Sequence, residues 1–181
     1  MWPWGHLAVG YLVYVVWARR NATPQRSRTL LVVAFATQLP DLIDKPLAWT
    51  LSVLPSGRSL GHSLFTATIL VAVVYYLVRR DNRADVAPAF AIGYLSHCLS
   101  DLGPDVVAGV LTGDASQLRW ATYLLWPLYP PPPYPHDTSF VSQFATFTLD
   151  PYGLFQFLLV ALALAVWVRS GMPGVRPRER R

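Results

Sequence analysis

Apolar residues along this chain fall into long runs separated by short polar breaks. Four runs stand out, Trp2–Ala18, Leu30–Leu39, Ser63–Val78 and Tyr152–Val168; a fifth, Val86–Leu99, is interrupted only by small or weakly polar residues. The pattern predicts an all-α protein with one helix per run. The runs are short against the ~20 residues that usually cross a bilayer, so a soluble protein with very apolar helices is the alternative. Flanking neutral residues can lengthen several of them. Asp150 followed by Pro151 reads as an N-cap and first-turn proline opening the last helix. Ahead of it, six of the nine residues in Pro127–Pro135 are proline, which requires an extended strut. Phe140, Phe144 and Phe147 recur at helical spacing and predict a short interfacial helix used for packing.

Charge decides for a membrane. The chain is 53% hydrophobic and only 14% charged, against about one-quarter charged in ordinary soluble domains, and its mean hydropathy is +0.33. All but three of the 15 basic residues gather in three places. Arg19, Arg20, Arg26 and Arg28 follow the first run; Arg79, Arg80 and Arg83 follow the third; Arg169, Arg176, Arg178, Arg180 and Arg181 follow the fifth. The opposite loops hold Lys45, Arg58 and Arg119. Basic loops stay cytoplasmic, so the expectation is an integral membrane protein of about five transmembrane helices, a polytopic helical bundle. Its N-terminus is outside, its C-terminus is cytoplasmic, and short helices lie on the extracytoplasmic face. Residues 1–168 form the membrane-embedded domain and residues 169–181 a basic tail. The net charge of +5 is then topological, and no nucleic-acid partner is expected. Basic residues follow the first apolar run instead of preceding it, the reverse of a cleavable signal. Cys98 is the only cysteine, so no intramolecular disulfide forms.

On this topology His6, Asp41, His62, His97 and Asp101 all lie at outer ends of the runs, with Asp44 beside them. Imidazole and carboxylate are the usual ligands of zinc and its neighbours. His97 and Asp101 are an i, i+4 pair and share one helix face. Asp41, Asp44 and Asp101 are expected at helix C-termini, where the macrodipole disfavours negative charge, and few basic side chains are expected nearby. A bound divalent metal supplies the missing charge. Four of the five ligands are expected to converge, with His6 the exception. Other polar residues read more simply: His136 as a surface loop histidine, Cys98 as packing, Asp105 and Asp114 as turns or caps. Arg58, one helical turn before His62, either clamps an anionic substrate or caps the membrane interface; Lys45 is similar but less well placed.

Several motifs occur in order: Gly5-His6; Leu39-Pro40-Asp41-Leu42-Ile43-Asp44-Lys45-Pro46; Arg58-Ser59-Leu60-Gly61-His62-Ser63; Gly93-Tyr94-Leu95-Ser96-His97-Cys98-Leu99-Ser100-Asp101; and Leu124-Leu125-Trp126-Pro127-Leu128. Together, over about Met1 to Leu128, they resemble the YdjM-like family of membrane-embedded metal-dependent hydrolases, also described as LexA-binding inner-membrane proteins. That family is distantly similar to zinc-dependent phospholipase C and P1-type nucleases, which hold zinc with His and Asp in an all-helical scaffold. The resemblance carries ligand roles onto His6, Asp41, His62, His97 and Asp101. It departs at Lys45, where the family commonly has His after a second Asp, at Gly57, where it has His, and at Gly61, where it has Thr. One complete metal site is therefore expected rather than a multinuclear cluster. The reading is a metal-dependent hydrolase at the extracytoplasmic surface, using zinc or alternatively manganese. Its partners are membrane lipids, with a phospholipid headgroup as substrate, Asp44 as general base and Arg58 steadying the anion. A non-catalytic scaffold or regulator-binding protein with a structural metal competes with it, and a transporter is a third class.

Overall fold

The computed structural model describes residues 1–81, 83–133, 139, 141, 145 and 148–175. Most of these are helical, with no strand among them. In chain order the helices are α1 (Pro3–Arg20), α2 (Ser27–Ala36) and α3 (Leu39–Lys45, continued by a π-helical turn over Pro46–Thr50). Then come α4 (Leu64–Val78), α5 (Val86–Ser100), α6 (Gly103–Thr112), a 3-10 segment (Ala115–Leu125) and α7 (Pro151–Arg169). Each of the five apolar runs forms a helix. The Phe140, Phe144 and Phe147 stripe, His136, and the tail arginines from Arg176 onward lie outside the described residues.

The chain forms two compact units. The first comprises Met1–Gln38, Val71–His97 and Leu149–Arg181. Here α1 starts with Pro3 in its first turn and ends with Arg19 and Arg20 in its last, where proline costs no hydrogen bond and cations face the negative end of the macrodipole. The Tyr14 hydroxyl donates to Thr29 Oγ1 (2.8 Å), and the Thr29 hydroxyl donates to the Arg26 carbonyl (2.8 Å). This buried relay joins the middle of α1 to the start of α2. Around it Tyr14, Ala18, Val33 and Ala89 form a core against Trp17, Leu30, Val32 and Ile92. Backbones approach closely at Gly93 of α5, where an added Cβ would sit 2.8 Å from both the Val33 carbonyl oxygen and the Ala36 Cβ. Small residues at such crossings are how helices pack where burial in water is not the driving force.

The last helix is capped as expected: Asp150 accepts the Gly153 N–H at 2.6 Å, with Pro151 in the first turn. It lies along α1, where the Trp2 N–H donates to Gln156 Oε1 (2.8 Å) and Trp4 stacks on Phe157. Among the described residues α7 is the one helix long and apolar enough to cross a membrane, while α4 and α5 are apolar but shorter. Phe155, Leu158 and Leu162 on α7, and Phe65, Ile69 and Val73 on α4, are exposed.

The second unit comprises Leu39–Leu70 and Cys98–Thr148. α6 ends at Gly113 in the left-handed region (φ +77), a conformation glycine adopts at little cost. Asp114 then caps the 3-10 segment by accepting the Ser116 N–H at 3.0 Å, the cap role expected of it. One boundary differs from the sequence reading. α2 stops at Ala36 and the chain restarts as α3 at Leu39, because Pro40 has no N–H to continue the ladder. Asp41 consequently lies in the first turn of α3, where the macrodipole favours a carboxylate, not at the end of α2. Asp44, near the end of α3, and Asp101, just past α5, keep the unfavourable placement.

Gly93→Val is expected to lower stability by about 1–3 kcal/mol through overpacking, read as a reduced midpoint in thermal unfolding of the detergent-solubilised protein. An unchanged midpoint would mean that α5 can move away from α2 freely.

Candidate metal centre

The second unit places a single carboxylate at the root of the site. Asp44 is fully buried. It accepts backbone N–H groups from Ser59 (2.7 Å), Gly61 (2.7 Å) and His62 (3.2 Å), and its Oδ2 lies 2.8 Å from His62 Nδ1. Residues 52–62 form bends and turns without helix, so their N–H groups have no helical ladder to join. Each buried N–H left unpaired costs about 1–3 kcal/mol; Asp44 satisfies several at once. Gly61 is needed for this fit, since a Cβ there would sit 2.7 Å from the Pro40 carbonyl oxygen.

Because Nδ1 of His62 is taken by Asp44, its Nε2 faces the other side. There it lies 3.6 Å from Asp41 Oδ1 and 3.5 Å from Asp101 Oδ2. The edge of the ring meets Tyr123 at a centroid distance of 5.9 Å, and the Tyr123 hydroxyl donates to the Cys98 carbonyl (2.9 Å) near the end of α5. Burial opposes a charge on His62. Hydrogen bonding to Asp101 and Asp44, and the negative charges of Asp101 and Asp41, outweigh it and raise the imidazole pKa above its usual value. The position attracts positive charge.

His97 stands one helical turn before Asp101 on α5. Its Nδ1 lies 2.6 Å from the Thr37 carbonyl oxygen. A carbonyl can only accept, so Nδ1 carries the proton and Nε2 keeps its lone pair. His6 stacks on His97, with ring centroids 3.7 Å apart. Asp41, His62, His97 and Asp101, all buried, each offer one ligand atom, and these atoms lie within 4.8 Å of one another. Ligands held at 2.0–2.1 Å in a tetrahedral shell are ~3.3 Å apart, close to the His62–Asp41 and His62–Asp101 separations. The donor set therefore fits a divalent metal ion. His6 is outside this foursome and touches it through its stack on His97.

Basic side chains are closer than the sequence suggests. Lys45 Nζ lies 2.6 Å from Asp41 Oδ2, and Arg58 Nε donates to Asp101 Oδ2 at 2.8 Å. Their side chains are 19% and 27% exposed, so both charges reach the surface of the site. Arg58 is held by a loop, not one helical turn before His62, and its own N–H donates to Ser56 Oγ (3.1 Å). Lys45 also stands 5.4 Å from the Trp49 ring centre. Lys45 is better placed than its sequence position suggests, and its i, i+4 spacing from Asp41 is the signal for it. Thr37 contributes a carbonyl group, which leaves no mark on residue type.

A sequence model of the YdjM inner membrane protein family matches residues 1–172. The chain belongs to that family, and its membrane association rests on this membership together with the apolar α7. No curated protein and no solved structure matches it.

Removing the carboxylate behind a ligating histidine typically costs 10–100-fold in metal affinity. Asp44→Asn is expected to weaken binding of a divalent metal by about that factor in a chelator competition. Wild-type affinity in this variant would show that the Asp44–His62 contact does not orient the ligand.

Proposed function

We propose that this protein is an integral membrane, metal-dependent hydrolase of phosphoester bonds, with lipid headgroups as the substrate class. The observation that carries the reading is the buried convergence of Asp41, His62, His97 and Asp101, with both imidazoles oriented through Nδ1. These four residues would hold a zinc ion, or alternatively manganese. Such an ion polarises a phosphoryl oxygen and lowers the pKa of a coordinated water toward ~7.

The chain's own residues do the rest. Asp44 sits behind His62 with both oxygens already accepting N–H groups; we assign it orientation of the ligand in place of the general-base role. The Thr37 carbonyl does the same for His97, and His6 braces that ring by stacking. Lys45 and Arg58 each pair with a carboxylate of the donor set. An ammonium has three donors and a guanidinium five, and the planar guanidinium suits a two-point contact with an incoming phosphate. The sequence motifs, read against phospholipase C and P1-type nucleases, suggest the same chemistry by analogy alone.

The test is chelator-sensitive hydrolysis of a phosphomonoester or phosphodiester by the purified protein. Combining His97→Ala with Asp101→Asn is expected to abolish metal binding and lower turnover by more than about 100-fold, beyond the usual effect of an outer contact. Wild-type turnover in that double variant would falsify the enzymatic reading. A structural metal site is the second reading, favoured by four protein donors completing a tetrahedral shell. It predicts bound metal and a raised unfolding midpoint, with no phosphoester turnover at any metal concentration.

The five apolar helices are proposed to cross the membrane with the N-terminus outside and the C-terminus cytoplasmic, setting the site at the extracytoplasmic face. In a Cys98→Ser background, a cysteine at Ser52 is expected to react with an impermeant maleimide on intact cells and one at Asp81 to stay unlabelled. The opposite pattern would invert the orientation.

A further inference from the structure

The first unit contains an apolar groove of about 430 Å³ between α1, α2, α7 and the turn after α7. That volume is in the range of pockets that hold small-molecule ligands. Its walls include Leu7, Tyr11, Leu30, Val160, Leu164 and Trp167, and almost every atom they present is carbon. One end is floored by Ser27, Pro173 and Gly174, and the Trp167 indole N–H donates to the Pro173 carbonyl (3.1 Å), closing the turn there.

The two ends differ in charge. At the far end α1 and α7 are pinned by Trp2 to Gln156 and by Trp4 to Phe157. From those pins, at 1.5 Å per residue, Arg19 lies ~25 Å along α1 and Arg169 ~20 Å along α7, so both arrive at the Ser27 end. Arg19, Arg20 and Arg169 are exposed and have no ion pair among the described residues. Arg26, immediately before Ser27, reaches Asp85 only at 3.8 Å, while Arg28 takes that carboxylate at 2.8 Å. A carbon-lined slot therefore opens beside a surplus of cationic side chains. Basic pockets between membrane helices attract anionic headgroups, and the slot supplies the apolar half of the same molecule.

We propose that this groove holds one acyl chain of an anionic glycerophospholipid, its phosphate lying at the Arg19–Arg169 end. The site uses none of the residues of the metal centre, so it stands or falls independently of the hydrolase reading.

The test is native mass spectrometry of the full chain released from detergent after incubation with phosphatidylglycerol or with phosphatidylcholine of the same chain length. Wild type is expected to retain phosphatidylglycerol at least tenfold better. Arg19→Gln with Arg169→Gln, both at exposed positions, is expected to bring the two lipids level. Ala34→Trp places an indole in the groove and is expected to abolish retention of both, with helix content by circular dichroism unchanged. Equal retention of the two lipids by wild type overturns the proposal. So does an unaltered preference in the arginine variant, which decides the matter even where Ala34→Trp fails to fold.

Discussion

The candidate site depends on one buried carboxylate. Asp44 collects the N–H groups of Ser59, Gly61 and His62 and the imidazole of His62. A loop without helix or strand has no internal way to satisfy its backbone donors, and in a water-poor setting it cannot borrow water to do so. An ionised carboxylate makes about the strongest such bonds available, since charge-assisted hydrogen bonds are roughly twice as strong as neutral ones. The loop's shape, the direction of His62 Nε2 and the closeness of Gly61 to Pro40 all follow from that one side chain. The Thr37 carbonyl, just past the end of α2, plays the corresponding part for His97.

The division between what is legible in the sequence and what is not follows the physics. The helices are legible because apolar side chains signal burial or lipid contact residue by residue, and the Asp150–Pro151 start is legible because capping is local. His97 and Asp101 are readable as a pair because four residues make one helical turn. Asp41 and His62 are readable only as types, as residues costly to place near a membrane without a role. The function of Asp44 is not legible, since its partners are backbone groups that any residue carries. Arg58 and Asp101 are 43 positions apart, and no local rule brings them together. The break between α2 and α3 was announced by Pro40, and reading the run through to Leu39 put Asp41 at the wrong end of a helix.

Membrane residence changes how the exposed surface is read. In a soluble protein the outward Phe155, Leu158 and Leu162 of α7 would be an aggregation liability. In a member of an inner-membrane family such a surface suits contact with lipid. Association between helices then rests on close approach, as at Gly93, and on polar links such as Tyr14 to Thr29, because lipid offers apolar side chains as good a contact as protein does.

The two ion pairs, Lys45 with Asp41 and Arg58 with Asp101, bear on how the protein matures. Many small metal sites gather carboxylates whose repulsion only the ion relieves, and such domains are unfolded until it arrives. Here each of those carboxylates already has a cationic neighbour from the same chain. The polypeptide can fold with the charges of Asp41 and Asp101 balanced before any ion arrives. Metal binding at this site would thereby be uncoupled from folding.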